Sequence, residues 1–270
     1  MASTGNGNAA AKDSALKSAT AVLAATGSLM LTWGAAPAMA QGRTAAAPTH
    51  DPFNSFSVGI GGGVDLFRAP ITPSALAGDY SSFFFEADNR LQGVGGFGSV
   101  EAGKDFRFGS LVLGIYGEYN FGRKSDSATE SWDYCPGSCV TMTVTPKLTL
   151  RNSYAVLGRL GVLSTPQTLI YGLFGYTWQN YVEEVTLWDS SSDVTTWRSE
   201  PGKIGGLTFG VGGEWLINQN WTLKGEYRFA KLSAPSGFGT STPFFIGGSS
   251  FGGVDDHVLR GVISYKLPSP

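Results

Sequence analysis

The sequence predicts an all-β protein, an eight-stranded antiparallel transmembrane β-barrel with up-and-down meander topology, long extracellular loops and short periplasmic turns. Three observations predict it. The 270 residues combine 38 glycines and 13% aromatics with only 15% charged residues, a composition that favours strands over helices. From Ser55 onward, apolar and polar residues alternate with period two in successive segments. The connections between those segments alternate between tight turns and long stretches, the asymmetry of barrels that cross a membrane.

The N-terminus reads as a targeting segment. Lys12 and Lys17 supply a positive region, Ala19 to Trp33 is mostly apolar, and Ala38-Met39-Ala40 places small residues where a signal peptidase cuts, leaving Gln41 as the new N-terminus. The expected organisation is a signal peptide over 1–40, a periplasmic leader over 41–54, the barrel over 55–267 and a C-terminal tail over 268–270. The formal net charge of −2 offers no basic footprint for nucleic acid. No later stretch holds the ~18 apolar residues of a spanning helix, but a barrel strand needs only about 9–11 residues to cross.

The first strand is expected from about Ser55 to Phe67, with Val58, Ile60, Val64 and Leu66 on one face and Ser57, Gly61, Gly63 and Asp65 on the other. The second spans about Leu91 to Asp105, the third about Ser110 to Arg123 and the fourth about Leu148 to Leu163. The fifth, about Thr168 to Val185, carries aromatics on both faces, which leaves its register open. The sixth runs from about Lys203 to Ile217. The seventh alternates most cleanly, with Trp221, Leu223, Tyr227 and Phe229 against Thr222, Lys224, Glu226 and Arg228. The eighth is about Asp256 to Leu267. Tight turns fall near Phe106–Gly109, at Ser164-Thr165-Pro166-Gln167 and at Asn218-Gln219-Asn220. Long loops are expected over 68–90, 124–147, 186–202 and 233–255.

A soluble barrel of lipocalin type also alternates, with its apolar face inward. Aromatics near both strand ends match interface girdles, and the strand charges fall on the face rich in Gly, Ser and Thr, as a polar lumen requires. The low charge content also favours the membrane version.

The stretch Gly206-Leu207-Thr208-Phe209-Gly210-Val211-Gly212-Gly213-Glu214-Trp215, with Asn220-Trp221-Thr222-Leu223-Lys224-Gly225-Glu226-Tyr227-Arg228-Phe229, resembles the penultimate hairpin of the porin-family small outer-membrane β-barrel proteins. These are the OmpA-like and opacity-like barrels of Gram-negative bacteria, and the likeness is to their alphaproteobacterial branch. Asn152-Ser153-Tyr154-Ala155-Val156-Leu157-Gly158-Arg159-Leu160-Gly161 resembles the family's central strand, and the likeness covers about 55–267. It implies residence in the cell outer membrane, contact with lipid and lipopolysaccharide, and insertion by the barrel-assembly machinery. That machinery reads a terminal aromatic residue in the family. Here Leu267 takes that place, so Tyr265 and Leu267 are the candidate assembly signal, ahead of Pro268-Ser269-Pro270. A chain ending at the eighth strand is expected to lack the periplasmic peptidoglycan-binding domain of full-length OmpA.

The expected inward charges are Asp65, Glu101, Glu118, Arg151, Arg159, Glu214, Lys224, Glu226, Arg228, Arg260 and Lys266. A lumen this narrow is just filled by side chains, so these charges must pair. They form either a static plug or a narrow pore whose pairs exchange partners to gate ion flow. Cys135 and Cys139, in Cys-Pro-Gly-Ser-Cys, are expected to form a disulfide in the second long loop. Enzymatic chemistry is not expected. The lipid-deacylating barrels place a Ser two residues after a His, and here Leu259 follows His257 at that distance. No cofactor or metal is expected. The leading reading is a structural barrel that supports envelope integrity and presents loops for adhesion or host interaction, the loop ligand being open. A small-solute or ion channel is the alternative, and a lipid A-modifying enzyme the third.

Overall fold

The period-two pattern folds as strands throughout. The computed structural model describes residues 51–74, 90–134, 140–189, 192–235, 238–242 and 245–267. The cleavage site at Ala38, Ala40 and Gln41, the Cys135–Cys139 pair and the tail 268–270 lie outside the described residues. The strands are β1 (Phe56–Ser74), β2 (Arg90–Phe108), β3 (Leu111–Gly122), β4 (Lys124–Ser127), β5 (Glu130–Tyr134), β6 (Val140–Thr165) and β7 (Thr168–Asp189), followed by β8 (Ser192–Arg198), β9 (Gly202–Leu216), β10 (Trp221–Leu232), β11 (Phe238–Thr242), β12 (Phe245–Phe251) and β13 (Val254–Lys266).

Antiparallel pairings close a ring. β1 pairs β2, β2 pairs β3, β3 pairs β6, β6 pairs β7, β7 pairs β9, β9 pairs β10, β10 pairs β13, and β13 returns to β1. A walk from Phe121 along paired residues passes Gly98, Gly62, Gly261, Gly225, Gly213, Ile170 and Val162, and re-enters β3 at Leu111. The start and end lie ten residues apart on the same strand. At about 3.3 Å per residue and ~4.8 Å between strands, that stagger tilts the strands by about 40° to the ring axis.

The three tight turns fall where the sequence puts them. Gly109, at φ 66°, turns β2 into β3, a conformation that only glycine adopts without strain. The Asn218 side chain accepts from the backbone N–H groups of Asn220 and Trp221, each at 3.0 Å, and so shapes the β9–β10 turn.

The long loops depart from expectation, because much of them is strand. β1, β6 and β7 run past the ring; β4 and β5 pair the β6 extension, β8 pairs β7, and β11–β12 pair the end of β1. The runs Thr141-Met142-Thr143-Val144-Thr145 and Val185-Thr186-Leu187-Trp188 are β-branched and aromatic, which suits strands. Threonines face each other across these pairs, as at Thr186 and Thr196 (3.2 Å between hydroxyls).

Burial settles which face is which. Ile60 is 69% exposed, Val211 61% and Ile170 60%, whereas Lys224 is 2%, Glu214 1% and Lys266 0% exposed. Apolar residues point out and charges point in, the inverse of a soluble barrel. Five glycines in register, Gly98, Gly62, Gly261, Gly225 and Gly213, draw a row without side chains across the outer face of β2, β1, β13, β10 and β9.

Candidate functional site: the closed lumen

Alternation aims charges from every ring strand at one axis, and they pair in three groups. Nearest the short turns, Asp105 accepts from Arg159 Nε (2.9 Å), Arg159 Nη2 (2.6 Å), Lys266 Nζ (2.9 Å) and the Tyr116 hydroxyl (2.7 Å). Arg159 Nη1 reaches Glu214 Oε2 at 2.5 Å, and Lys266 Nζ lies 2.7 Å from Glu214 Oε1. The rings of Tyr116 and Tyr171 lie 4.7 and 4.9 Å from the Arg159 guanidinium, so π-faces complete its surroundings. Gly114 makes room for this group, since a Cβ there would stand 2.4 Å from Asp105 Oδ1.

The middle group is three acids against three bases. Glu101 accepts from Lys224 Nζ (2.6 Å) and Arg260 Nη2 (2.7 Å). Glu118 accepts from Arg228 Nη1 (2.6 Å) and from Arg260 Nη1. Glu226 accepts from Arg228 Nη2 (2.6 Å) and the Tyr171 hydroxyl (2.6 Å). Toward the long loops, Lys124 Nζ joins Asp65 and Asp256, each at 2.7 Å. A cavity of about 30 Å³ between these two groups is lined by Asp65, Asp256, Glu118, Asn120, Arg228 and Arg260 among others. It has room for about one or two waters.

Both ends of the lumen are shut. At the long-loop end, Phe67, Ala69, Leu91, Leu148, Leu150, Tyr181, Ile204, Ala230, Leu232 and Val254 form one buried apolar cluster drawn from nearly every ring strand. At the short-turn end, residues 51–54 tuck under the ring. Phe53 is fully buried with Val112, Leu169, Tyr171 and Leu173, and Lys266 Nζ lies 5.6 Å from its ring. Asp51 fixes this segment by accepting from the Phe53 backbone N–H (3.0 Å) and pairing with Arg107 (3.2 Å).

Ten of the eleven expected inward charges thus lie in the three groups; Arg151 does not. It sits at a β-bulge, where Arg151 and Asn152 of β6 face only Asn180 of β7, between the pairs Leu150–Tyr181 and Ser153–Gln179. The bulge breaks the period on which the expectation rested. The half-buried Arg151 makes no ion pair among the described residues, and its carbonyl accepts from the Gln179 side chain. Asp105, Lys124 and Asp256 were missed. Each has the inward parity of its neighbours, Asp105 following Glu101, Lys124 following Glu118, and Asp256 preceding Arg260. Parity was the available signal: Asp105 and Asp256 are the terminal residues of expected strands, and Lys124 opens an expected loop. Tyr265 faces outward, edge-on to Trp221 (5.1 Å between centroids), and the Leu267 backbone N–H donates to the Phe56 carbonyl (2.7 Å). His257 lies on the outer face with its Nδ1 2.7 Å from the Tyr227 hydroxyl.

Above the last β7–β9 pair, in the strand extension, Glu183 is fully buried. Neither of its carboxyl oxygens has a hydrogen-bond partner among the described residues. Burial pushes its pKa up to about 7. A raised carboxyl stabilises the folded protein through its protonated form. That contribution is fully present below the ordinary 4.5 and is lost as pH rises through about 7. Glu183→Gln is expected to flatten this dependence, raising stability above pH 7 and changing it little below 4.5. Denaturant melts of both proteins at the two ends of that range check it.

An inside-out ring with a polar, paired interior defines the class: an outer-membrane β-barrel. The family model for the outer membrane protein beta-barrel domain matches residues 26–266. The chain belongs to that family, and it resides in the outer membrane of a Gram-negative bacterium. It is 27% identical over 228 residues to the 31 kDa outer-membrane immunogenic protein of Brucella melitensis, covering 82% of this chain and 88% of that one. The Brucella suis protein of the same name matches equally. Among solved structures, the outer membrane protein OprG from Pseudomonas aeruginosa is 10% identical, covering 79% of this chain and 98% of that one, with a TM-score of 0.35. The outer membrane protease OmpT from Escherichia coli is also 10% identical, covering 83% and 99%, with a TM-score of 0.45.

Proposed function

We propose that the ring is an eight-stranded transmembrane barrel with a sealed lumen. In this reading the protein is a non-enzymatic structural component of the outer membrane that displays its strand extension for adhesion or host interaction. The single observation that carries the reading is the closure of the lumen. An apolar cluster stops one end, Phe53 stops the other, and direct ion pairs fill the space between. Pairs held this closely away from bulk water do not exchange partners readily. Outer-membrane lipid and lipopolysaccharide surround such a barrel, and the barrel-assembly machinery inserts it. The Brucella relatives carry the word immunogenic in their names, which supports a surface role for the extension.

In planar bilayers the purified protein is expected to insert, migrate faster unboiled than boiled on a gel, and pass no steady current. Regular single-channel steps from the unaltered protein would replace this reading with that of a channel.

A further inference from the structure

The lumen leaves one feature of the outer face unexplained. Between the glycine row and the short turns, the surface sinks into a groove of about 610 Å³. It is lined by Val100 and Ala102 of β2 together with Val58, Ile60, Tyr119 and Trp221. Gly117 widens it, since nothing lies within 4 Å of where its Cβ would stand.

One step below Ala102 on the same outward face of β2 stands Lys104. Its Nζ lies 4.6 Å from the centroid of the Phe56 ring and 5.7 Å from that of Phe106. Its hydrogen bond is to the Asn54 carbonyl, at 3.4 Å. No carboxylate among the described residues pairs with it. Phe56 is 59% and Phe106 46% exposed. Exposed rings flanking a lysine mark the level where hydrocarbon meets water. The surface therefore offers a cation without a counter-ion at the foot of an apolar trough.

Its complement is a molecule with an anionic head and an apolar chain. We propose that the groove seats an anionic phospholipid of the periplasmic leaflet, its phosphate at Lys104 Nζ and an acyl chain lying along β2 over Ala102 and Val100. The lengths agree. Lys104 to Gly98 is six residues, about 20 Å of strand. At a tilt of about 40° that rises about 15 Å, half of a ~30 Å hydrocarbon core. A zwitterionic lipid fills the trough equally well but brings its own ammonium, so Lys104 selects for net negative charge. This inference rests on the transmembrane reading.

Trp221 borders the groove and reports on it. The full protein is reconstituted in phosphatidylethanolamine vesicles carrying either phosphatidylglycerol or phosphatidylcholine with brominated acyl chains. The fluorescence quenched in the unaltered protein but not in Trp221→Phe is the Trp221 share. That share is expected to respond to brominated phosphatidylglycerol at about one-fifth of the phosphatidylcholine concentration, the weight of one lysine beside an anionic head. Lys104→Gln is expected to abolish the preference, and Ala102→Leu, which fills the trough, to weaken Trp221 quenching by both lipids. Heat-modifiable migration identifies the variants that have folded. Equal quenching by the two lipids in the unaltered protein, or a preference that survives in folded Lys104→Gln, overturns the seat. Absence of quenching by any brominated lipid overturns the transmembrane reading itself, and the seat with it.

Discussion

Replacing Arg159 with alanine is expected to lower the stability of the barrel by about 3–5 kcal/mol, the cost of stranding buried charge. Arg159 is 4% exposed and holds both Asp105 and Glu214, with side-chain contacts of 2.5 to 2.9 Å. Without it, among the described residues Lys266 is the one cation still in direct contact with these two buried carboxylates. The measurement is the urea midpoint for loss of the unboiled gel band, compared with the unaltered protein. An Arg159→Ala/Glu214→Gln double variant should recover part of the loss, because it removes one of the two stranded charges. An unchanged midpoint in Arg159→Ala would mean that the interior is hydrated, and the sealed lumen would have to be given up.

The second large effect is expected at Phe53. Truncation to alanine removes a fully buried ring from the short-turn end, and phenylalanine-to-alanine changes in cores cost about 3–5 kcal/mol. The loss here should fall near the lower end, because residues 51–54 can lift away without unfolding the ring. Lifting also admits water at the short-turn end. The amides of Lys266 and Asp105, which bond the Asn220 and Ser55 carbonyls at 2.7 and 3.1 Å, should then exchange hydrogen faster than in the unaltered protein. The Leu148–Leu150 cluster at the other end is untouched, so no current is expected even from Phe53→Ala. Exchange at these amides that stays at its original rate would show that Phe53 is not what closes this end.

These two residues also show where sequence reading succeeds and where it stops. Arg159 is legible because Leu157, Arg159 and Gly161 sit mid-strand, where one registration fixes every face. The ring strands were found for the same reason. Phe53 is not legible. It precedes the first strand in Asp51-Pro52-Phe53-Asn54, where no period applies, and only the fold reveals that its ring turns inward. Asp105, Lys124 and Asp256 fail differently: their parity is right, but Asp105 and Asp256 are the terminal residues of expected strands and Lys124 lies in an expected loop. Arg151 fails because a bulge is invisible in a pattern of hydropathy. The strand extensions lie within expected loops although Val140, Met142 and Val144 alternate with Thr141, Thr143 and Thr145, because Pro146 interrupts the run and argues against a continuous strand.

The glycine row has a consequence for the electrostatics of the wall. Inside Gly261, Gly225 and Gly213, the neighbouring positions on the same strands are Arg260, Lys224, Glu226 and Glu214, members of the paired interior. In the proposed transmembrane reading, a single peptide layer along this inclined line separates hydrocarbon from charge. Coulomb interactions next to so weakly polarisable a medium are several-fold stronger than in water. The wall is an insulator at its thinnest where charge is densest, so neutralisation there must be local and complete.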